Sequence, residues 1–210
     1  MKMKKVKPHE FKLKPGAKPV QVPCPRFGAS KRKLIIEWVE WAKEAGLIEP
    51  ADGSEYASRL HLAAKRGPQT SKDKPPDGIR ITWAGVEVND TLEKSVPTYT
   101  NAWEQIYKVA KYKYKFSADG LKQYWSIPLA KESRNITAFW TPLGLWRFKR
   151  LVMGTKNAAT VAQNAYTWAM NNLLPAEALE HIAQYADDFM GGADSHASLV
   201  ELFEQFLEMA

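Results

Sequence analysis

Cysteine is nearly missing from this chain: Cys24 is the single one in 210 residues. That excludes an internal disulfide framework and any metal site built on several thiolates, and it points to a reducing compartment. No apolar run approaches the roughly 20 residues that a membrane-spanning helix needs. The basic N-terminus lacks the apolar core of a secretory signal. The expectation is an intracellular protein, cytoplasmic or nuclear, with no membrane partner. No internal repeat is visible. Charge is missing selectively: residues 161–210 contain no Lys or Arg against 8 acids, and residues 101–160 hold only 3 acids against 11 cations.

What remains is an ordinary globular composition, 45% hydrophobic and 25% charged, with a net charge of +7. The length suits one domain or two packed subdomains with a real core. The net charge divides into +15 over residues 1–160 and −8 over 161–210. Two readings stay open at this point. The basic body could be an electropositive surface for nucleic acid beside an acidic pocket for metal. It could equally be a solvated face with no ligand.

Residues 1–28 interleave Lys and Pro with scattered apolar residues, which predicts an extended arm. Leu34, Ile35, Trp38, Trp41, Ala42 and Ala45 recur at helical spacing, so Ser30–Ala45 is expected to be a helix with Ser30 as cap and Gly46 as stop. Strands are expected at 59–64 and 79–88, flanking a basic loop from Lys65 to Gly78. Further along, the pattern predicts a helix at 101–110 and a strand at 116–118. Strands at 136–140 and 145–152 should be joined by the turn Thr141–Gly144. A helix is expected over 157–174, capped by Asn157 and ended by Pro175, and a last one is capped by Ser195. Strands and helices alternate in mixed order, so the expected class is α+β.

Tyr185-Ala186-Asp187-Asp188 lies between two short apolar runs, as the tip of a β-hairpin. Adjacent carboxylates repel and raise each other's pKa. A divalent cation offsets that repulsion, whereas an acidic surface turn would leave it to solvent. Asp119 follows the strand-like Lys115-Phe116-Ser117-Ala118 and is the only acid between Glu104 and Glu132. It could be a helix cap, a salt-bridged surface residue, or a third ligand.

Together these segments resemble the reverse transcriptase domain of gypsy-type LTR retrotransposons (Metaviridae-like Pol polyproteins), with retroviral enzymes as more distant relatives. The likeness is collinear over nearly the whole chain. His9–Pro19 resembles the family's leading segment, and Glu44–Pro50 its helix exit into the fingers. Asp119–Leu129 resembles the block that carries the first catalytic Asp. Thr137–Gly144 and Gly154–Gln163 are similar to the next two blocks, and Tyr185–Asp188 to the catalytic hairpin.

The resemblance implies a right-hand polymerase, fingers and palm, with an antiparallel palm sheet flanked by helices. Residues 1–28 would be the arm, 29–118 mainly fingers with entry into the palm, and 119–210 mainly palm. It implies a catalytic set of Asp119, Asp187 and Asp188. These would hold two Mg²⁺ ions, with Mn²⁺ as a substitute and the Gly120 carbonyl as an extra ligand. Such a pair of cations, about 3.5–4 Å apart, would serve the attack of a primer 3′-hydroxyl on a dNTP. The nucleotide would be met by Lys65, Arg80, Lys122, Gln123, Tyr124 and Met153, with Tyr124 excluding a ribose 2′-hydroxyl. Gly154, Lys156, Asn157 and Gln163 would contact the template. The partners implied are an RNA or DNA template with its primer, dNTPs, and further Pol segments (thumb, RNase H, integrase) if the reading frame continues.

The sequence departs from the family pattern at Ala84 and Val86, where an Asp and an Arg are usual, and at Ala159, where a Pro is usual. It also ends 22 residues after Asp188, ahead of the family's primer grip and thumb. The expected function is therefore RNA-directed DNA polymerisation by a fingers-plus-palm portion. The alternative is a truncated or domesticated, catalytically weak fragment that binds nucleic acid. A metal-dependent nuclease is disfavoured, because His181 reads as part of the strand before the acidic pair and not as a catalytic base. An RNA-templated RNA polymerase is disfavoured by Tyr124.

Overall fold

The computed structural model describes residues 6–64, 79–96, 101–120 and 123–209. The elements run α1 (Ala29–Glu44), β1 (Ile48–Pro50), β2 (Arg59–Ala64), β3 (Ile79–Ala84), α2 (Val86–Thr91), α3 (Ala102–Ala110), β4 (Tyr114–Asp119) and α4 (Gln123–Ser126). They continue with α5 (Lys131–Arg134), a 3₁₀ turn (Asn135–Thr137), β5 (Phe139–Thr141), β6 (Gly144–Phe148), α6 (Ala158–Leu173), α7 (Ala176–His181), β7 (Ile182–Tyr185), β8 (Asp188–Ala193) and α8 (His196–Met209). The fold is α+β, as the mixed order of elements predicts. Two compact units form, one from residues 8–94 and 128–158, the other from 1–7, 95–127 and 159–210. The division does not follow chain order, and the expected fingers-to-palm boundary at 118/119 falls inside the second unit.

In the first unit, β1, β6 and β5 form an antiparallel sheet, and β2 pairs with β3 as a separate ribbon. Helix α1 buries Ile35, Trp38, Val39 and Ala42, the stripe its 3.6-residue period announces. Trp38 packs against Phe139 and Phe148, whose rings lie 4.8 Å apart. The helix ends at Gly46, whose φ of 68° is open to glycine and costly for other residues. Its start differs from the expectation. Gly28 is the N-cap and no side chain bonds there, so Ser30 is not the cap. The arm does lie on the unit: His9 bridges to Leu129, Leu13 to Leu92 and Gln21 to Ala57.

Three expected strands are corrected. The run from 79 stops at Ala84, because the Trp83 ring folds over Gly85 so closely that a Cβ there would lie 2.1 Å from it. Helix α2 begins directly after. Val86, one of the three positions that depart from the family pattern, is 69% exposed. Half-buried Glu49 of this unit is held by Arg134 at 3.1 Å and Arg147 at 2.8 Å. These guanidinium groups draw the Glu49 carboxyl below its ordinary pKa against the opposing effect of burial. The expected strand 136–140 opens instead as a 3₁₀ turn. There the Thr137 hydroxyl donates to the Arg134 carbonyl and accepts from the Phe148 amide. The following strand ends at Phe148, short of the expected Val152.

In the second unit, β4, β8 and β7 form an antiparallel sheet with β8 in the middle. Along β4, Tyr114, Phe116 and Ala118 are half-buried, while Lys115, Ser117 and Asp119 are exposed. That period of two places Phe116 against Phe203 and Phe206 of α8. Phe189 of β8 is buried between Tyr166 and Phe206. Gly191 is required by packing, since a Cβ there would meet the Phe116 ring at 2.1 Å. Ser195 caps α8 as expected, its hydroxyl accepting from the Ser198 amide. Helix α7 was not anticipated. His181 is its last residue and not part of a strand; its ring stacks on Tyr112 and contacts the Gly192 carbonyl.

His9 offers a test of the packing in the first unit. Its Nε2 is buried without a hydrogen-bond partner among the described residues, and burial lowers its pKa from 6.5 to about 4. The unfolded chain therefore binds a proton here at a pH where the folded chain does not, so stability is full above pH 6.5 and is lost as pH falls toward 4. The Tm should drop over that window in wild type and drop less in His9→Phe. Parallel Tm-against-pH curves for the two proteins would contradict this.

Candidate catalytic carboxylates and the loops around them

The hairpin of β7 and β8 is closed by two residues, Ala186 and Asp187, because Tyr185 pairs directly with Asp188. Two-residue hairpin loops need φ > 0 at the first position to match the strand twist. Ala186 supplies it, with φ of 54°, the only non-glycine with positive φ among the described residues. An L-residue adopts this conformation at a cost, and it persists only where the surroundings enforce it.

The enforcement is visible. Gln163 of α6, 5% exposed, accepts the Ala186 amide at 3.0 Å. Gln184 of β7, 4% exposed, donates to the Ala186 carbonyl at 3.3 Å. Beyond the last strand pair, the Gly120 amide donates to the Asp187 carbonyl at 2.7 Å. A Cβ on Gly120 would sit 3.2 Å from that oxygen, a close contact.

Register then brings the acids together. Asp119 and Asp188 are directly opposed across β4 and β8. Opposed residues of an antiparallel pair present their side chains on the same face with Cβ atoms roughly 4.5–5.5 Å apart. Asp187 precedes Asp188 in the turn, and all three are exposed. Among the described residues, no three His, Cys, Asp or Glu side chains converge as a ready-made metal cage. The donor chemistry nonetheless fits a hard cation, with oxygen ligands that are solvated and close in register.

The remaining expected residues fall in different places. Tyr124 is half-buried and Gln123 buried, both on the short α4 that begins four residues after Asp119. The Gln123 amide donates to the Gly120 carbonyl, and its side-chain oxygen is buried without a partner among the described residues. Lys65 and Lys122 lie outside the described residues. Arg80 is exposed on β3 opposite Ala63, and Met153 is 43% exposed.

The loop from Gly154 to Asn157 is clamped by α2. Asn89 donates to the Gly154 carbonyl and accepts from the Lys156 amide, both at 2.8 Å. The Lys156 ammonium donates to the carbonyls of Leu92 and Asn89, and the Asn157 amide donates to the Glu93 carbonyl. Three of the four expected template contacts thus have structural partners here. The fourth, Gln163, is buried in the other unit with its amide engaged at Ala186. Sequence reasoning missed Thr167 and Gln184. The signal for Thr167 was a polar side chain four residues after Gln163, on the same helix face.

Comparison with known proteins places the chain. A family model described as reverse transcriptase (RNA-dependent DNA polymerase) matches residues 81–210. The Gag-Pol polyprotein of avian reticuloendotheliosis virus is 27% identical over 211 aligned positions, covering 95% of this chain and 17% of that protein. A retrovirus-related Pol polyprotein from transposon 412 of Drosophila melanogaster is 29% identical over 162 positions, covering 75% of this chain and 12% of that protein. The crystal structure of a prototype foamy virus protease–reverse transcriptase superposes with a TM-score of 0.72 at 20% identity, covering 98% of this chain and 25% of that one. The chain thus spans less than a fifth of the length of either polyprotein.

Gly154 gives a local test. Its φ is 112°, and a Cβ there would lie 2.1 Å from the Trp83 backbone oxygen. Gly154→Ala should therefore lose about 2 kcal/mol or more of stability, from backbone strain and overpacking together. An unchanged denaturation midpoint would contradict the observed approach of the two segments.

Proposed function

The chain belongs to the reverse transcriptase (RNA-dependent DNA polymerase) family, and on that premise we propose that it adds deoxynucleotides to a primer 3′-hydroxyl as directed by an RNA or DNA template. The observation that carries the reading is the opposition of Asp119 and Asp188 with Asp187 in the adjoining turn. Asp119, Asp187 and Asp188 would hold Mg²⁺, with the Gly120 carbonyl as a further oxygen donor. When bound, the metal would lower the pKa of the attacking hydroxyl and neutralise charge on the leaving pyrophosphate.

The rest falls to the protein as positioning and electrostatics. The exposed carboxylates can rotate about χ1 to meet a cation without moving the backbone. Tyr124, five residues after Asp119 and fixed on α4, would lie under the incoming sugar and exclude a ribose 2′-hydroxyl. Arg80 carries a planar guanidinium suited to a triphosphate. Lys65, Lys122, Gln123 and Met153 would complete the nucleotide contacts. The +15 of residues 1–160 would follow the phosphate backbones with salt-dependent, sequence-tolerant affinity. The likeness to the transposon 412 polyprotein supports a gypsy-type LTR element as the origin, with further Pol segments as partners.

Primer extension with Mg²⁺ tests this. Asp187→Asn and Asp119→Asn should each lower the rate on the order of 100-fold or more, the scale of removing a transition-state charge partner, with little change in Tm. Equal rates in wild type and both variants would overturn the reading. Tyr124→Ala should leave dNTP incorporation measurable and raise ribonucleotide incorporation roughly 10-fold or more, as expected when a steric barrier worth over 1.4 kcal/mol is removed. Unchanged sugar selectivity would remove Tyr124 from the role of gate.

A further inference from the structure

Four hydrogen bonds beneath the acidic hairpin form a closed ring that begins and ends on Ala186. The Ala186 amide donates to Gln163 Oε1 at 3.0 Å, and Gln163 Nε2 donates to Thr167 Oγ1 at 3.4 Å. The Thr167 hydroxyl donates to Gln184 Oε1 at 3.3 Å, and Gln184 Nε2 donates to the Ala186 carbonyl at 3.3 Å. Every donor meets an acceptor in one sense of rotation, so each bond polarises the next. Gln105 of α3 accepts the Gln184 backbone amide and ties the ring to a second helix. Gln163 and Gln184 are almost fully buried, where an unpaired amide costs more than the pair contributes.

The ring grips both backbone polar groups of Ala186, the one non-glycine held at positive φ among the described residues, and the next residue is Asp187. We propose that Gln163, Thr167 and Gln184 are positioning residues. Their ring fixes the Ala186 peptide so that Asp187 and Asp188 meet a divalent cation with no reorganisation of the turn. None of the three touches the cation. The proposal deepens the polymerase reading and rests on it for its consequence in catalysis, although the ring's effect on cation binding is measurable without turnover.

Thr167 is exposed on α6, so Thr167→Val breaks the ring without disturbing the core, and Thr167→Ser keeps the hydroxyl. Gln163→Leu removes the direct bond to Ala186; its Tm and circular dichroism establish that it folds. Two readouts apply to the whole chain: hydrogen exchange of the Ala186 amide, and Mg²⁺ titration followed by the Asp187 and Asp188 amide shifts. In Thr167→Val and Gln163→Leu, exchange at Ala186 should quicken at least 10-fold and the Mg²⁺ midpoint should rise 3- to 10-fold. Thr167→Ser should stay within twofold of wild type. Wild-type exchange and midpoints in Thr167→Val and Gln163→Leu would overturn the proposal, as would Thr167→Ser behaving like Thr167→Val. A wild-type protein that binds Mg²⁺ at the hairpin but extends no primer overturns the polymerase reading alone; the exchange and titration results still decide the ring.

Discussion

The register of β4 against β8 is the constraint on which the candidate site depends. Strand side chains alternate with a period of two, so a slip of one residue would send Asp119 to the face that packs on α8 and bring Ala118 out in its place. Three features hold the register from different sides. Phe116 and Phe189 are committed to the aromatic cluster with Tyr166, Phe203 and Phe206. Gly191 leaves the space that the Phe116 ring occupies, and Gly120 binds the Asp187 carbonyl just past the strand end. The first two are hydrophobic and set which face is buried; the third is polar and sets where pairing stops.

Acidic groups are handled in two ways. Glu49 is taken partly out of water, and two arginines keep it ionised. Asp119, Asp187 and Asp188 stay exposed, where solvent limits the repulsion between neighbours. Exposed carboxylates are easily misplaced, and the order they need is supplied from below, by buried amides that bind the backbone of the turn. The polar interior of this unit thus supports its surface chemistry, while the apolar interior fixes the strands. The strain at Ala186 is consistent with that division, since conformations of this kind survive only where the surroundings over-determine them.

Features legible in the sequence were those encoded over a few residues. The stripe from Leu34 to Ala45 gave α1, Ser195 gave the cap of α8, and Tyr185–Asp188 flanked by apolar runs gave the hairpin. The α+β class followed from the order of such segments. Features set by distant partners were not legible. Nothing local marks Thr137 as a hydroxyl that will receive the Phe148 amide. Lys156 reads as a template contact, and nothing local announces that its ammonium is engaged by carbonyls more than sixty residues earlier. Gln163 reads as a polar helix residue, and its partner at Ala186 lies 23 residues on. Helix α7 had a local signal that went unused, Pro175 followed by good helix formers.

Everything proposed for catalysis requires that the β4–β8 register deliver these particular carboxylates to metal. The most direct measurement is diffraction from crystals of the protein with template–primer, dNTP and Mn²⁺, recorded at a wavelength where manganese scatters anomalously. The predicted result is anomalous density bridging Asp119 and Asp187 at the hairpin, with Asp188 adjoining. Anomalous density at other acids, such as Glu177 and Glu201, with none between β4 and the hairpin turn, would contradict it.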